Sequence, residues 1–200
     1  SADFMGPALC DAFAAHGALV VADTRALDAP GAVHDMLQAA GEVQVLIANL
    51  GVQAPNTHAH EVGDDEWRQV FAHMVDPLPR LARAVLPQFA ARGGGRIVVM
   101  GSAAALRGQK RTSSYSAARG AQLAWVRAAG VELARQNIQL NAIAQNFVDN
   151  PTYFPAEVQA NPAFQERLKR EVPLGRLVSG DEDALFAAYL ASDAAPCFVG

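Results

Sequence analysis

Ser102, Tyr115 and Arg119 are the residues whose types and spacing could do chemistry, in the stretch MGSAAALRGQKRTSSYSAAR that runs from Met100 to Arg119. A serine hydroxyl can donate to a substrate oxygen and hold it in place, and a tyrosine can take or return that oxygen's proton. Free tyrosine has a pKa of about 10 and is a poor base near neutrality, but a neighbouring cation favours the phenolate. Arg119 follows Tyr115 by four residues, the spacing that puts two side chains on one face of a helix. A guanidinium also keeps its charge at every working pH. Each residue alone has a plain reading, since a strand-end serine caps turns, a tyrosine packs in a helix and an arginine is solvated. Their order and spacing behind a buried strand favour the chemical reading.

The elements that must position them are legible in the flanking sequence. Residues 96–100 read RIVVM after three glycines, a β-branched run that predicts a buried strand with Ser102 just past its end. Residues 113–135 are rich in Ala, Leu, Gln and Arg without proline and predict a helix. Upstream, a helix is expected to His16, a strand over 18–23 ending in Asp23, a helix over 31–40, and a central strand over 43–51 that delivers Asn49 to a loop. An acidic helix start at Asp64-Asp65-Glu66 suits the helix dipole. Trp67, Val70, Phe71, Met74 and Val75 then recur at helical spacing, with a kink or restart near Asp76 imposed by Pro77, Pro79 and Pro87. Downstream come a strand over 137–144, a loop over 145–155, and helices over 161–171 and 181–191. Alternating strands and helices predict a parallel sheet covered on both faces. The first and last strands of such a sheet are expected to be missing from this chain, because exposed flanks of central strands leave unpaired backbone.

Two hundred residues, 51% of them hydrophobic, suit one domain over 1–200. A net charge of −4 without a basic stripe leaves no nucleic-acid footprint. No apolar run, residues 43–50 included, approaches the about 20 residues of a membrane span. No basic segment followed by an apolar stretch opens the chain, so a cytoplasmic protein handling small molecules is expected. Cys10 and Cys197 lack CxxC or histidine spacing and read as free thiols. His58 and His60 find no further ligands in sequence, so no metal is expected. Trp67 and Trp125 read as core or interface residues.

Asn49, Ser102, Tyr115, a basic residue at Tyr+4 and the tail Pro173-Leu174-Gly175-Arg176 make the chain resemble the short-chain dehydrogenase/reductase superfamily, which implies a Rossmann-like, doubly wound three-layer α/β/α fold. Two departures from that superfamily are informative. Its lysine four residues after the tyrosine is here Arg119, and its glycine-rich loop is here Ser1-Ala2-Asp3-Phe4-Met5-Gly6. Both are similar to the halohydrin dehalogenases, which share the fold and lost the nicotinamide cofactor. The phrases over 84–89, 101–105 and 115–119 resemble their B-type branch. A pyrophosphate needs glycines where backbone amides approach it, and Phe4 and Met5 put bulk there instead.

The resemblance implies that Tyr115 takes the hydroxyl proton of a vicinal haloalcohol, that Ser102 places the oxygen, and that the alkoxide expels halide to form an epoxide with no cofactor. It also implies a halide site at Gln145, Asn146, Phe147 and Val148 with Phe4 and Phe154 as aromatic walls, donors coming from backbone amides. Val52, Ala104 and Leu106 are the candidates for the substrate side. The family further implies a homotetramer packed through helices 64–91 and 113–135. The alternative function is an NAD(P)-dependent oxidoreductase with an atypical Ser-Tyr-Arg site, favoured by Asp23 at a position where relatives bind a ribose and opposed by Phe4. A third class, a silent ligand sensor, is disfavoured by the intact Ser102, Tyr115 and Arg119.

Overall fold

The computed structural model describes residues 4–200; of the opening loop, residues 1–3 lie outside the described residues. The sheet among them has three parallel strands in the order β1 (Val45–Ala48), β2 (Gly95–Met100), β3 (Ile138–Ile143). Ile97 stands opposite Leu46 on one side and Leu140 on the other. Side chains alternate across the pleat, and each face has its own cover.

Ile97 and Val99 point into a core with Val33 and Leu37 of α2 (Ala32–Ala40), Leu81, Val85 and Phe89 of α4 (Pro77–Arg92), and Val126 and Leu133 of α5 (Ser113–Leu133). Val98 and Met100 point the other way, onto Met5, Leu9 of α1 (Gly6–Ala15), and Ala184, Ala187 and Leu190 of α8 (Gly180–Leu190). The result is the Rossmann-like α/β arrangement, with helices on both faces of an open parallel sheet. Between α2 and β2, α3 (Asp64–Met74) stops two residues before Pro77 opens α4. That is the expected restart, since Pro suits a first helical turn and not an interior. Beyond β3 lie α6 (Ala156–Gln159) and α7 (Pro162–Glu171). Gly95 opens β2 because the Phe89 ring would stand 2.3 Å from any Cβ placed there.

Residues 18–23 are not a strand, contrary to the sequence reading. They form no ladder, and Leu19 is 95% and Val21 57% exposed. An apolar run supplies propensity, whereas a strand exists only through a neighbour's N–H and C=O groups, and no described strand pairs with this one. At the other end, the Gly200 amide donates to Leu140 O at 2.8 Å and Asn141 Nδ2 to Phe198 O at 3.0 Å. The tail thus lies against the outer edge of β3, as a fourth strand would.

Candidate active site

The parallel register places the C-terminal ends of β1, β2 and β3 side by side, and the candidate residues gather there, outside the carboxyl ends of the strands. Ser102 leaves β2 extended and caps the 3-10 turn Ala103–Ala105, its Oγ accepting from the Ala104 amide at 3.2 Å. The turn is fixed from below by the Ala103 amide donating to Gln145 O at 2.8 Å. Tyr115, 5% exposed, lies in the first turn of α5 among Val70, Met74, Ala104 and Ala118. One turn on, the Arg119 guanidinium carbon sits 5.1 Å from the Tyr115 ring centroid.

Arg119 is the electrostatic centre. It is 6% exposed, and among the described residues no carboxylate lies within ion-pair distance of it. Its Nη1 donates instead to Leu50 O at 3.0 Å, Met100 O at 2.9 Å and Gln122 Oε1 at 2.9 Å, while its buried Nε has no protein partner. A buried cation held only by neutral acceptors favours an anion nearby. Gln122, fully buried, carries the network on by donating to Leu50 O at 3.2 Å and Met74 O at 2.7 Å. Gly51 leaves room here: a Cβ would stand 3.0 Å from Arg119 Nη2 and 3.6 Å from the Phe4 ring, and a side chain would press on both. Phe4 itself holds a left-handed backbone, φ 52°, which costs a non-glycine residue energy and recurs at functional sites.

From Phe4 an aromatic wall runs outward. Its ring is 5.7 Å from Tyr153, Tyr153 is 6.4 Å from Phe154, and Phe154 is 6.2 Å from Phe147, centroid to centroid. Tyr153 is the residue that sequence reasoning missed. Its hydroxyl donates to Val52 O at 3.0 Å and accepts from the Ala54 amide at 3.1 Å, beside Tyr115. Burial, then the adjoining Tyr115, pushes its pKa up, so Tyr153 stays a neutral phenol. Glu66 is a second omission. Its carboxylate accepts from Ser114 at the start of α5 and from Thr57, and those bonds hold its pKa below the usual range.

The other candidates divide. Val52 and Ala104 pack around Tyr115, whereas Leu106 is 66% exposed and turns to solvent, because the 3-10 turn ends just before it. Phe147 and Phe154 stack in the wall. Asn146 is exposed. Gln145 directs its side-chain amide to Asp183 of α8, and Val148 belongs to the core under α1 and α8, as does Met5. Asp23 pairs with Arg25 at 3.0 Å. Among the described residues no cluster of His, Cys, Asp or Glu could hold a metal, and no helix is long and apolar enough to cross a membrane.

Residues 8–200 match the family described as enoyl-(acyl carrier protein) reductase. The chain is similar to cis-4-hydroxycyclohexanecarboxylate dehydrogenase of Sinomonas cyclohexanicum, 36% identical over 203 residues that cover 100% of this chain and 78% of that protein. Curated relatives at 32–36% identity carry the names of dehydrogenases and reductases. Among solved structures, one described as a dehalogenation enzyme is 30% identical with a TM-score of 0.87, covering 98% of this chain and 89% of that one. A halohydrin dehalogenase bound to ethyl (2S)-oxiran-2-ylacetate is 25% identical with a TM-score of 0.79, covering 94% and 76%.

Proposed function

The chain belongs to the short-chain dehydrogenase/reductase superfamily of enzymes, and on that footing we propose that it closes vicinal haloalcohols to epoxides without a redox cofactor. The observation that carries this reading is the meeting of the Phe4 ring and the Arg119 guanidinium over Gly51. An aromatic side chain takes the space before the Tyr115–Arg119 pair, and the uncompensated cation behind it favours anionic chemistry.

In the proposed reaction Ser102 Oγ donates to the substrate oxygen and Tyr115 takes its proton. The new C–O bond forms as the neighbouring C–halogen bond breaks, and the halide leaves with the bonding pair. The proton passes from Tyr115 to solvent, so the balance is epoxide, halide and one proton. The aromatic wall of Phe4, Phe154 and Phe147 is the proposed apolar surround for the leaving halide. Backbone amides at residues 146–148, where Phe147 turns left-handed at φ 54°, are the proposed halide donors, while the Gln145 amide donates to Ile143 O at 3.1 Å. Run backwards, the same site opens epoxides with small anions.

The relatives' names favour a second reading, nicotinamide-dependent oxidoreduction. The described residues fit that cofactor poorly, because Pro7 removes an amide from the start of α1 and Phe4 occupies the approach. Halide and proton release from a simple chloro- or bromoalcohol, with and without added nicotinamide and with Tyr115→Phe alongside, separates the two. Release without cofactor that vanishes in the variant supports dehalogenation. No release, together with tight dinucleotide binding, supports the second reading. A homotetramer is proposed through α3, α4 and α5, where Trp67 stacks on Phe71 at 4.9 Å and Val131 is 71% exposed; light scattering tests it.

A further inference from the structure

The outer end of the aromatic wall is cationic. Arg107 and Arg167 converge on the Phe147 ring, their guanidinium carbons 5.7 and 5.4 Å from its centroid, within the range where an aromatic face attracts a cation. The two differ in their counter-charges. Arg167 pairs with Glu171 at 2.9 Å, whereas among the described residues Arg107 has no carboxylate within ion-pair distance. The ring therefore carries one uncompensated positive charge.

Neighbours in sequence do not supply the missing anion. Between Asp76 and Glu132 the chain has no acidic residue at all, and residues 106–112 hold Arg107, Lys110 and Arg111, all three exposed. This cationic loop joins Ser102 to Tyr115, so it borders the mouth of the site in a chain whose net charge is −4. Arg107 is also near the chemistry. It follows Ser102 by five residues, three of them in a 3-10 turn that advances only about 2 Å per residue.

We propose that the substrate carries a carboxylate away from its reacting hydroxyl, and that Arg107 at the outer end of the wall receives it. One uncompensated guanidinium matches one carboxylate in charge, and its planar fork matches it in geometry. The aromatic wall between Phe4 and Phe147 then takes the carbon chain that separates the two ends. This rests on the proposed function for the reaction, though not for the binding.

The test is a series of ω-chloro-(ω−1)-hydroxy acids of increasing chain length, each run against its methyl ester, with wild-type protein and Arg107→Gln. The expected result is a kcat/KM advantage of about tenfold for the best acid over its ester at low salt. That advantage should peak beyond the shortest acid, shrink with added salt, and collapse to about one in Arg107→Gln. Equal rates for acid and ester in the wild type, or a variant that slows both alike, would overturn the proposal. Where no haloalcohol reacts at all, the dehalogenation reading fails alone. Calorimetric binding of the unreactive ω−1 hydroxy acid and its ester then decides the inference: a preference for the acid that Arg107→Gln abolishes upholds it, and equal binding overturns it.

Discussion

Tyr115, Arg119 and Gln122 stand on one face of a 21-residue helix, the last two bonded to backbone at or just past the ends of β1 and β2, whereas Phe147, Tyr153 and Phe154 hang from the loop between β3 and α6. In the first region the polar side chains are buried and bonded to backbone that the sheet itself holds still. In the second, rings meet rings and exposed guanidiniums, and one residue keeps a positive φ. Rigid backbone acceptors can fix a charge and a proton to within a fraction of an ångström. A loop of stacked rings can be reshaped by single substitutions at modest cost. The difference assigns the reaction to the first region and the choice of substrate to the second.

The largest effect is expected at Tyr115. Tyr115→Phe keeps the packing with Val70, Met74 and Ala104 and removes the proton acceptor, so turnover should fall by about a thousandfold while Tm moves little. A variant that retains a tenth of the activity would detach the helix face from the chemistry. Next is Gln122→Leu, a change of similar size that strands Met74 O, takes the Gln122 oxygen from Arg119 and leaves Leu50 O to Arg119 alone. About 2–3 kcal/mol of stability should be lost in urea unfolding, with kcat falling more than KM rises. If KM alone changed, Gln122 would belong to substrate binding and the two regions would not be separate.

Phe147→Ala should act in the opposite sense, moving selectivity among substrates by about 1–3 kcal/mol and leaving the proton step intact, as measured by kcat on the smallest haloalcohol. Tyr153→Phe probes one place where the regions meet. It frees Val52 O and the Ala54 amide and removes the partner beside the Tyr115 hydroxyl, so the pH profile of kcat/KM should shift while substrate preference stays. An unchanged profile would confine Tyr153 to holding the loop.

The same division governs what could be read from the sequence. The strand RIVVM and the i, i+4 pair Tyr115 and Arg119 were legible because strand and helix periods are local. The counterweight Gln122 lies on that face at the next turn, and a polar residue on a buried stripe was the available signal. Glu66 was read only as part of a helix start; its bonds to Ser114 and Thr57 join segments 48 and nine residues away. Tyr153 carried no signal in spacing, since its partners Val52 and Ala54 lie about a hundred positions upstream. Residues 18–23 had strand propensity without a partner, and Val148 and Leu106 were assigned to a cavity by position in a loop, where side-chain direction follows no period.

The smallest expected effect lies at Asp183, which joins the two regions. Its carboxylate accepts from the Gln145 side chain, while the Gln145 carbonyl holds the Ser102 turn and Phe147 follows two residues on. Burial raises the Asp183 pKa against the lowering bond from Gln145. A carboxyl whose folded pKa is raised binds more protons folded than unfolded, so stability falls as pH rises from the ordinary carboxylate range through the raised value, then levels off. Asp183→Asn accepts the same bond through its amide oxygen and carries no charge, removing that cost along with the favourable dipole contribution of an acid in the first turn of α8. The net expected result is a higher Tm near neutrality, a gap that closes as the pH is lowered into the ordinary carboxylate range. A gap that widened on acidification would mean that Asp183 is stabilised as the carboxylate, and that the Ser102 turn and the aromatic loop are tied together by charge. A gap that closes means the tie is a neutral hydrogen bond across a desolvated seam, which lets the wall be reshaped without disturbing Ser102.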